Sequence, residues 1–197
     1  MNYPQLSILI PAAGASKRLG QAKQLVRYRS ATLIQNVVNL ANSIAPSEVI
    51  VITGDQASAV KDSVSQPAVR WVHNTNWSTG MGSSIATGAA VISPSSQAVM
   101  ILLCDQWRLL TSDLCLMAET WLSNPERIIC ARANEQNMPP VIFPTHFLGQ
   151  LQALEGQNGA RDILRKKPDL LTPVLLENAQ FDLDTKAGLS QLKRHDL

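Results

Sequence analysis

Residues 6–24 read LSILIPAAGASKRLGQAKQ, an apolar run that breaks into small residues at Ala12, Ala13, Gly14 and Ala15 and then collects Lys17, Arg18 and Lys23. The apolar run reads as a buried strand. The turn after that strand decides the fold, because ligands of an open parallel sheet bind beyond the carboxyl ends of the strands. The small residues keep side-chain bulk away, so backbone N–H groups can approach phosphate oxygens. Arg18 can grip a phosphate bidentately, and Lys23 adds a mobile point charge. Spacing excludes two familiar phosphate loops. In the P-loop a Lys comes directly after the Gly, but Gly20 is succeeded by Gln21, and GxGxxG fails because five residues separate Gly14 from Gly20. A solvated strand-to-helix turn with clustered cations would use the same residues.

Outward from this loop, short apolar runs alternate with segments of helical spacing, the order expected of parallel strands joined by crossover helices. Strands are predicted over 5–11, 48–53, 69–73 and 97–104, with further candidates at 127–131, 139–143 and 171–177. In ATLIQNVVNLANSIA, residues 31–45, one helical stripe carries Leu33, Ile34, Val37, Val38, Ala41 and Ile44, and Pro46 ends it. Thr111 is the expected N-cap of a helix burying Leu114, Met117, Ala118 and Trp121. Near-continuous apolar strands such as VMILLC require cover on both faces, so the expectation is a three-layer α/β/α fold with a mostly parallel sheet. Residues 132–170 read as an irregular excursion.

At 197 residues the chain is expected to form a single domain, 1–197. A hydrophobic fraction of 45% with 16% charged residues describes a globular protein rather than a disordered one. The net charge of +2 is spread along the chain apart from the first loop and Arg165, Lys166 and Lys167, which read as a solvated helix end; no nucleic-acid partner is expected. Cys104, Cys115 and Cys130 make no CxxC pair, and His73, His146 and His195 lie far apart, so neither a disulfide framework nor a zinc site is expected. No basic leader and no spanning apolar run is visible, which points to a cytoplasmic setting without membrane contact.

Three further segments carry polar chemistry. NTNWSTGMGSSIATGAA, residues 74–90, places Gly80, Gly82, Ser83 and Ser84 at the start of a small-residue helix, where N–H groups and hydroxyls meet a base or ribose, or simply cap the helix. VMILLCDQW ends an apolar strand in Asp105. A carboxylate there needs water, donors or a cation, and beside a phosphate loop it suits Mg²⁺. FDLDT, residues 181–185, puts Asp182 and Asp184 on one face if it is a strand, or at the cap of a last helix. Arg161 comes shortly after Gly159 at a predicted helix start, where it can meet an anion or pair with a surface carboxylate.

The order A-A-G-x-S-x-R-x-G-x-x-K in residues 12–23 resembles the signature loop of Rossmann-like nucleotidyltransferases, and PAAGASKRLGQAKQ is most similar to the branch that attaches a nucleotide to molybdopterin, the MobA-like NTP transferases. Pro11 stands where that branch usually has Leu, a feature shared with cytidylyltransferases of isoprenoid synthesis. NxxWxxGMxxSI resembles the base-side segment of molybdopterin cytidylyltransferases, CDQ the metal-binding Asp of a usual D-Q-P, here with Trp107 for Pro, and FDLDT the D-I-D-T-P-E-D ending, here continued by KAGL. The resemblance spans the chain to residue 185. It implies nucleotidyl transfer with CTP favoured and GTP or ATP open, molybdopterin as acceptor, Mg²⁺ as cofactor, and a molybdoenzyme or insertion chaperone as partner. It implies that Ala12, Ala13, Gly14, Arg18, Lys23, Gly80, Gly82 and Ser83 bind nucleotide and that Arg161 faces the acceptor. Asp105 and Asp184 would hold the metal, Asp184 in preference to Asp182, and Arg18, Lys23 and Asp105 would carry catalysis. Two alternatives stand beside it: cytidylyl or uridylyl transfer to a sugar or polyol phosphate, and a non-catalytic nucleotide-binding accessory protein for cofactor insertion.

Overall fold

The computed structural model describes residues 2–65, 68–157, 159–183 and 186–195. In chain order the elements are β1 (Tyr3–Pro11), β2 (Arg27–Tyr28), β3 (Ala31–Thr32), α1 (Leu33–Asn42), β4 (Pro46–Thr53), α2 (Ala57–Asp62), β5 (Arg70–His73), α3 (Met81–Ala89), β6 (Ala98–Ile101), α4 (Thr111–Ser123), β7 (Ile128–Ala133), β8 (Gln136–Pro144), α5 (Leu148–Gln152), α6 (Ala160–Lys166), β9 (Leu171–Leu175) and α7 (Lys186–His195). Seven strands form one sheet in the order β5-β4-β1-β6-β8-β7-β9, and β2 and β3 make a separate small hairpin. Within the seven-stranded sheet the pairings are parallel except those of β8, which runs antiparallel to both β6 and β7.

Alternation along the strands sorts the core into two layers. Ile8, Ile10, Val49, Val51 and Met100 pack with Ile34 and Val38 of α1, Val60 of α2 and Leu114, Met117 and Trp121 of α4. Leu9, Ile50, Ile52, Val99 and Ile101 pack on the opposite face with Ile85 of α3, Leu151 of α5 and Ile163 of α6. Both faces are dry, which is why the strands read as continuous apolar runs, and each buried aliphatic side chain contributes about 1.5–3 kcal/mol. The three-layer α/β/α architecture with a mostly parallel sheet is the one expected.

Local boundaries differ from expectation where side chains decide them. The first helix ends at Asn42 with Ser43 as C-cap, and Pro46 opens β4 instead of merely stopping the helix. Leu110, not Thr111, is the N-cap of α4. Its backbone N–H is taken by the Asp113 carboxylate at 2.9 Å, while Thr111 Oγ1 pairs with Ser43 Oγ at 2.8 Å. Residues 132–170 are not irregular. They hold the β7–β8 turn, all of β8, and α5 and α6. Pro139 and Pro140 obscured the first part of β8, since proline removes a ladder donor. Residues 181–183 lie outside any strand, so the alternation argued for FDLDT does not apply; Asp182 is exposed and Leu183 buried. Asp184 lies outside the described residues.

Candidate active site

β1, β4, β5 and β6 are parallel, so the loops after them gather at one edge of the sheet. The chain winds from β1 to β4 and β5 on one side and to β6 on the other, which makes the β1/β6 junction the switch point where a crevice opens. A cavity of about 380 Å³ lies there, walled by the 13–19 loop, Lys23, Gln24, Trp77, Ser84 and Asp105 among others.

Ser16 shapes the first loop. It adopts a left-handed backbone with φ of 51°. Its carbonyl accepts from Leu19 N at 2.9 Å and Gly20 N at 3.3 Å, and its hydroxyl accepts from Lys23 N at 3.2 Å. That curl returns the chain to the cavity at Lys23, whose ammonium donates to Asp105 Oδ2. Asp105 is only 4% exposed, and its other oxygen, Oδ1, is buried without a hydrogen-bond partner among the described residues. A buried carboxylate oxygen without a donor is costly, and a hard cation would satisfy it. The site therefore fits a divalent ion held by one carboxylate and by phosphate oxygens. No group of three or more His, Cys, Asp or Glu occurs among the described residues to hold a metal by protein ligands alone.

The expected site residues fall into three groups. Ala13, Gly14, Arg18, Lys23, Gly80 and Asp105 line the cavity. A Cβ at Gly14 would meet no protein atom within 4 Å, so its missing side chain leaves room in the cavity rather than in the packing. Ala12, Gly82 and Ser83 lie behind that wall. Ala12 N donates to Ile52 O at 2.8 Å inside the sheet, and Gly82 N donates to Gly156 O at 2.9 Å. Ser83 Oγ lies 2.9 Å from Gly80 O and 3.1 Å from Asn76 O and shares its one proton between them, holding its own loop together. Arg161 is exposed on the first turn of α6 and does not line the cavity.

Three residues near the site, Gln24, Asn74 and Gly54, were not singled out from the sequence, and Trp107 was noted there only as a departure from D-Q-P. Gln24 Nε2 donates to Ala12 O at 2.9 Å and to Gly14 O at 2.8 Å, bracing the first loop from below. Asn74 is buried at the end of β5; its Nδ2 donates to Ser83 Oγ and Ser84 Oγ at 2.9 and 3.0 Å, and its Oδ1 accepts from Asn76 N. The signal used for Asp105, a polar residue closing an apolar strand, does not mark Asn74, because β5 reads Arg-Trp-Val-His and none of its residues is fully buried. Gly54 lets Trp77 close against Ala13, since a Cβ there would come within 2.5 Å of Trp77 and 2.8 Å of the Ala13 methyl. Trp107 packs edge-on to Tyr28 at 5.1 Å and Phe181 at 6.1 Å, with the Arg108 guanidinium 4.1 Å from the Phe181 ring centroid. The aromatic residue in place of proline thus ties the segment after Asp105 to the β2–β3 hairpin and to residue 181.

Cys104 adjoins Asp105 in the wall. Burial, and then the Asp105 carboxylate, push its thiol up to about 12, so it stays neutral and is no thiolate nucleophile at ordinary pH.

Residues 8–171 match the family model described as the MobA-like NTP transferase domain. The chain is 30% identical over 202 residues to nicotine blue oxidoreductase of Paenarthrobacter nicotinovorans, an alignment covering 97% of this chain and 98% of that protein. Rv0371c of Mycobacterium tuberculosis H37Rv superposes with a TM-score of 0.85 at 22% identity, covering 96% of this chain and 98% of the other. A complex of the same mycobacterial protein with manganese superposes with a TM-score of 0.80 at 20% identity, covering 98% of each chain. No helix among the described residues is long and apolar enough to cross a membrane.

Proposed function

This chain belongs to the MobA-like NTP transferase family, and from that premise we propose that it acts as a single cytoplasmic nucleotidyltransferase domain, transferring CMP from CTP to molybdopterin with release of pyrophosphate. The observation that carries this reading is the arrangement at the β1/β6 junction. Lys23 and the half-satisfied carboxylate of Asp105 meet at a cavity edged by the bulk-free Gly14.

In the reaction, an oxygen of the acceptor's terminal phosphate forms a bond to the α-phosphorus as the bond from that phosphorus to the bridging oxygen breaks. The electron pair leaves with pyrophosphate, so no enzyme nucleophile is required. The loop around Gly14 accommodates the triphosphate, and Arg18, exposed at the cavity rim, neutralises the departing pyrophosphate. Lys23 turns from Asp105 to the α-phosphate, where negative charge accumulates. Asp105 holds Mg²⁺, with Asp184 as its proposed second ligand. The ion when bound supplies charge neutralisation on the phosphate oxygens. The manganese complex of Rv0371c supports a divalent ion in this fold. Arg161 is proposed to meet the acceptor from α6, and Ala12, Gly82 and Ser83 to serve the nucleotide by shaping the wall rather than by touching it.

The test is pyrophosphate release with Mg²⁺ and each of CTP, GTP, ATP and UTP, with and without molybdopterin, beside Asp105→Asn. Release that requires molybdopterin, favours CTP and falls at least about a hundredfold in the variant is expected. A second reading rests on the name of the full-length relative, an oxidoreductase. Redox turnover of nicotine blue, and no pyrophosphate release under any condition, would favour it.

A further inference from the structure

Gln24 is buried, with 1% of its surface exposed, and it lines the cavity beside Lys23. The orientation of its amide is forced. Nε2 donates to the carbonyls of Ala12 and Gly14, and the flipped amide would set an oxygen against two oxygens. Oε1 is therefore the atom left over, and it has no hydrogen-bond partner among the described residues. Asp105 Oδ1, in the same cavity wall, is in the same condition. Two buried acceptors without a donor imply that a bound species supplies one.

The chemistry of the nucleotide narrows what that species is. On the side of the cavity formed by Gly14, Lys23 and Asp105, a triphosphate presents only oxygens that accept. The Lys23 ammonium is committed to Asp105 and, in the reaction, to phosphate, which leaves as donors the waters that a hard divalent ion retains when phosphates and a carboxylate fill only some of its positions. We infer that Gln24 Oε1 accepts a hydrogen bond from a water of the divalent ion held by Asp105, so that Gln24 both braces the phosphate loop and orients the metal's outer shell. The inference rests on the nucleotidyltransferase reading. It makes Gln24 a positioning residue, since it acts through the loop and through water.

The experiment uses the full chain, Mn²⁺ as probe, and a CTP analogue with a methylene group between the α- and β-phosphorus. Free Mn²⁺ is monitored by electron paramagnetic resonance at saturating analogue, and analogue affinity is measured separately in EDTA. Gln24→Met, which loses the acceptor together with the two donors to the loop, is expected to weaken Mn²⁺ binding about tenfold or more. Gln24→Glu, which places negative charge beside the ion but sets an oxygen against the Ala12 and Gly14 carbonyls, is expected to tighten Mn²⁺ binding while lowering the melting temperature. Melting curves show which variants fold, and either variant suffices. Unchanged Mn²⁺ affinity in the folded variants, with the whole effect appearing as analogue affinity in EDTA, would reduce Gln24 to a loop brace and overturn the inference. If instead the unsubstituted protein prefers the ribose over the 2′-deoxyribose analogue and Gln24→Met abolishes that preference, the donor is a sugar hydroxyl and the inference also falls. Failure of the unsubstituted protein to bind analogue with Mn²⁺ would count against the nucleotidyltransferase reading itself.

Discussion

Lys23 and Asp105, 82 positions apart in the chain, meet as an ion pair at the junction of β1 and β6, with the carboxylate nearly buried and the ammonium partly so. Each is occupied by the other, yet the proposed reaction needs the ammonium on phosphate and the carboxylate on metal. Binding of the metal–nucleotide complex is therefore an exchange of partners, and the two ligands should bind better together than apart.

Lys23→Met tests that exchange. Removing the ammonium should lower turnover by about 10²–10³-fold while nucleotide affinity changes much less. It should also raise the affinity of the nucleotide-free protein for Mn²⁺, by about tenfold for each 1.4 kcal/mol of lost competition. Steady-state kinetics and a Mn²⁺ titration read the two effects separately. Weaker Mn²⁺ binding in the variant would mean that the pair does not compete with the metal.

Three glycines of the site separate packing from ligand space. A Cβ at Gly14 meets nothing, so Gly14→Ala should keep the melting temperature and weaken nucleotide binding. At Gly54 a Cβ would lie 2.5 Å from Trp77, and at Gly80, with φ of 136°, it would lie 2.2 Å from Gly156 O. Both alanine variants should lose about 1–3 kcal/mol or more of stability. Thermal melts with and without nucleotide check all three.

Asn74→Ala should loosen the Trp77 to Ser84 segment. The variant removes donors to Ser83 and Ser84 and an acceptor for Asn76 N, in a buried place. A loss of about 1–3 kcal/mol in urea unfolding is expected. Hydrogen exchange should rise at the start of α3 and leave β6 unchanged.

The buried thiol of Cys130 contributes, with that of Cys104, to an alkaline limit. Burial pushes the Cys130 thiol up from 9.0 to about 11, with Arg132 acting weakly the other way. A group whose folded value is raised holds its proton more tightly when folded. Its stabilisation is complete below about pH 9 and drains away as pH rises through about 11, at up to about 1.4 kcal/mol per pH unit. Melting temperatures across pH 8–11 should fall, and less steeply in Cys130→Ala. Equal slopes would show that other groups govern alkaline unfolding.

Much of the fold was legible because strand and helix burial are periodic within a few residues. All seven strands of the main sheet appear among the expected ones, and Leu114, Met117, Ala118 and Trp121 are buried as α4 requires. The loop from Ala12 to Lys23 was legible for the same reason, since its bulk-free turn and its cations are neighbours in the chain. What stayed hidden was extent, direction and partnership. The two prolines in β8 concealed where that strand begins, and nothing local told that it runs antiparallel between β6 and β7.

Among the serines and glycines of residues 80–84, composition could not distinguish lining from support. Gly80 and Ser84 line the cavity, whereas Gly82 and Ser83 spend their donors on Gly156 and on their own loop. Gln24 passed unnoticed because an amide after a lysine carries no pattern. Its meaning comes from being buried under the carbonyls of Ala12 and Gly14.

The amino-acid sequence by itself determined the alternation of strands and helices, the two dry faces of the sheet and the charged turn after the first strand, because burial and backbone freedom are properties of short windows. The tertiary structure alone decided that Lys23 meets Asp105, that Asp105 Oδ1 and Gln24 Oε1 are left without donors among the described residues, and that Arg161 stands outside the cavity. Those outcomes depend on how parallel strands from distant parts of the chain are ordered in one sheet, since only that order brings their ends to a common edge.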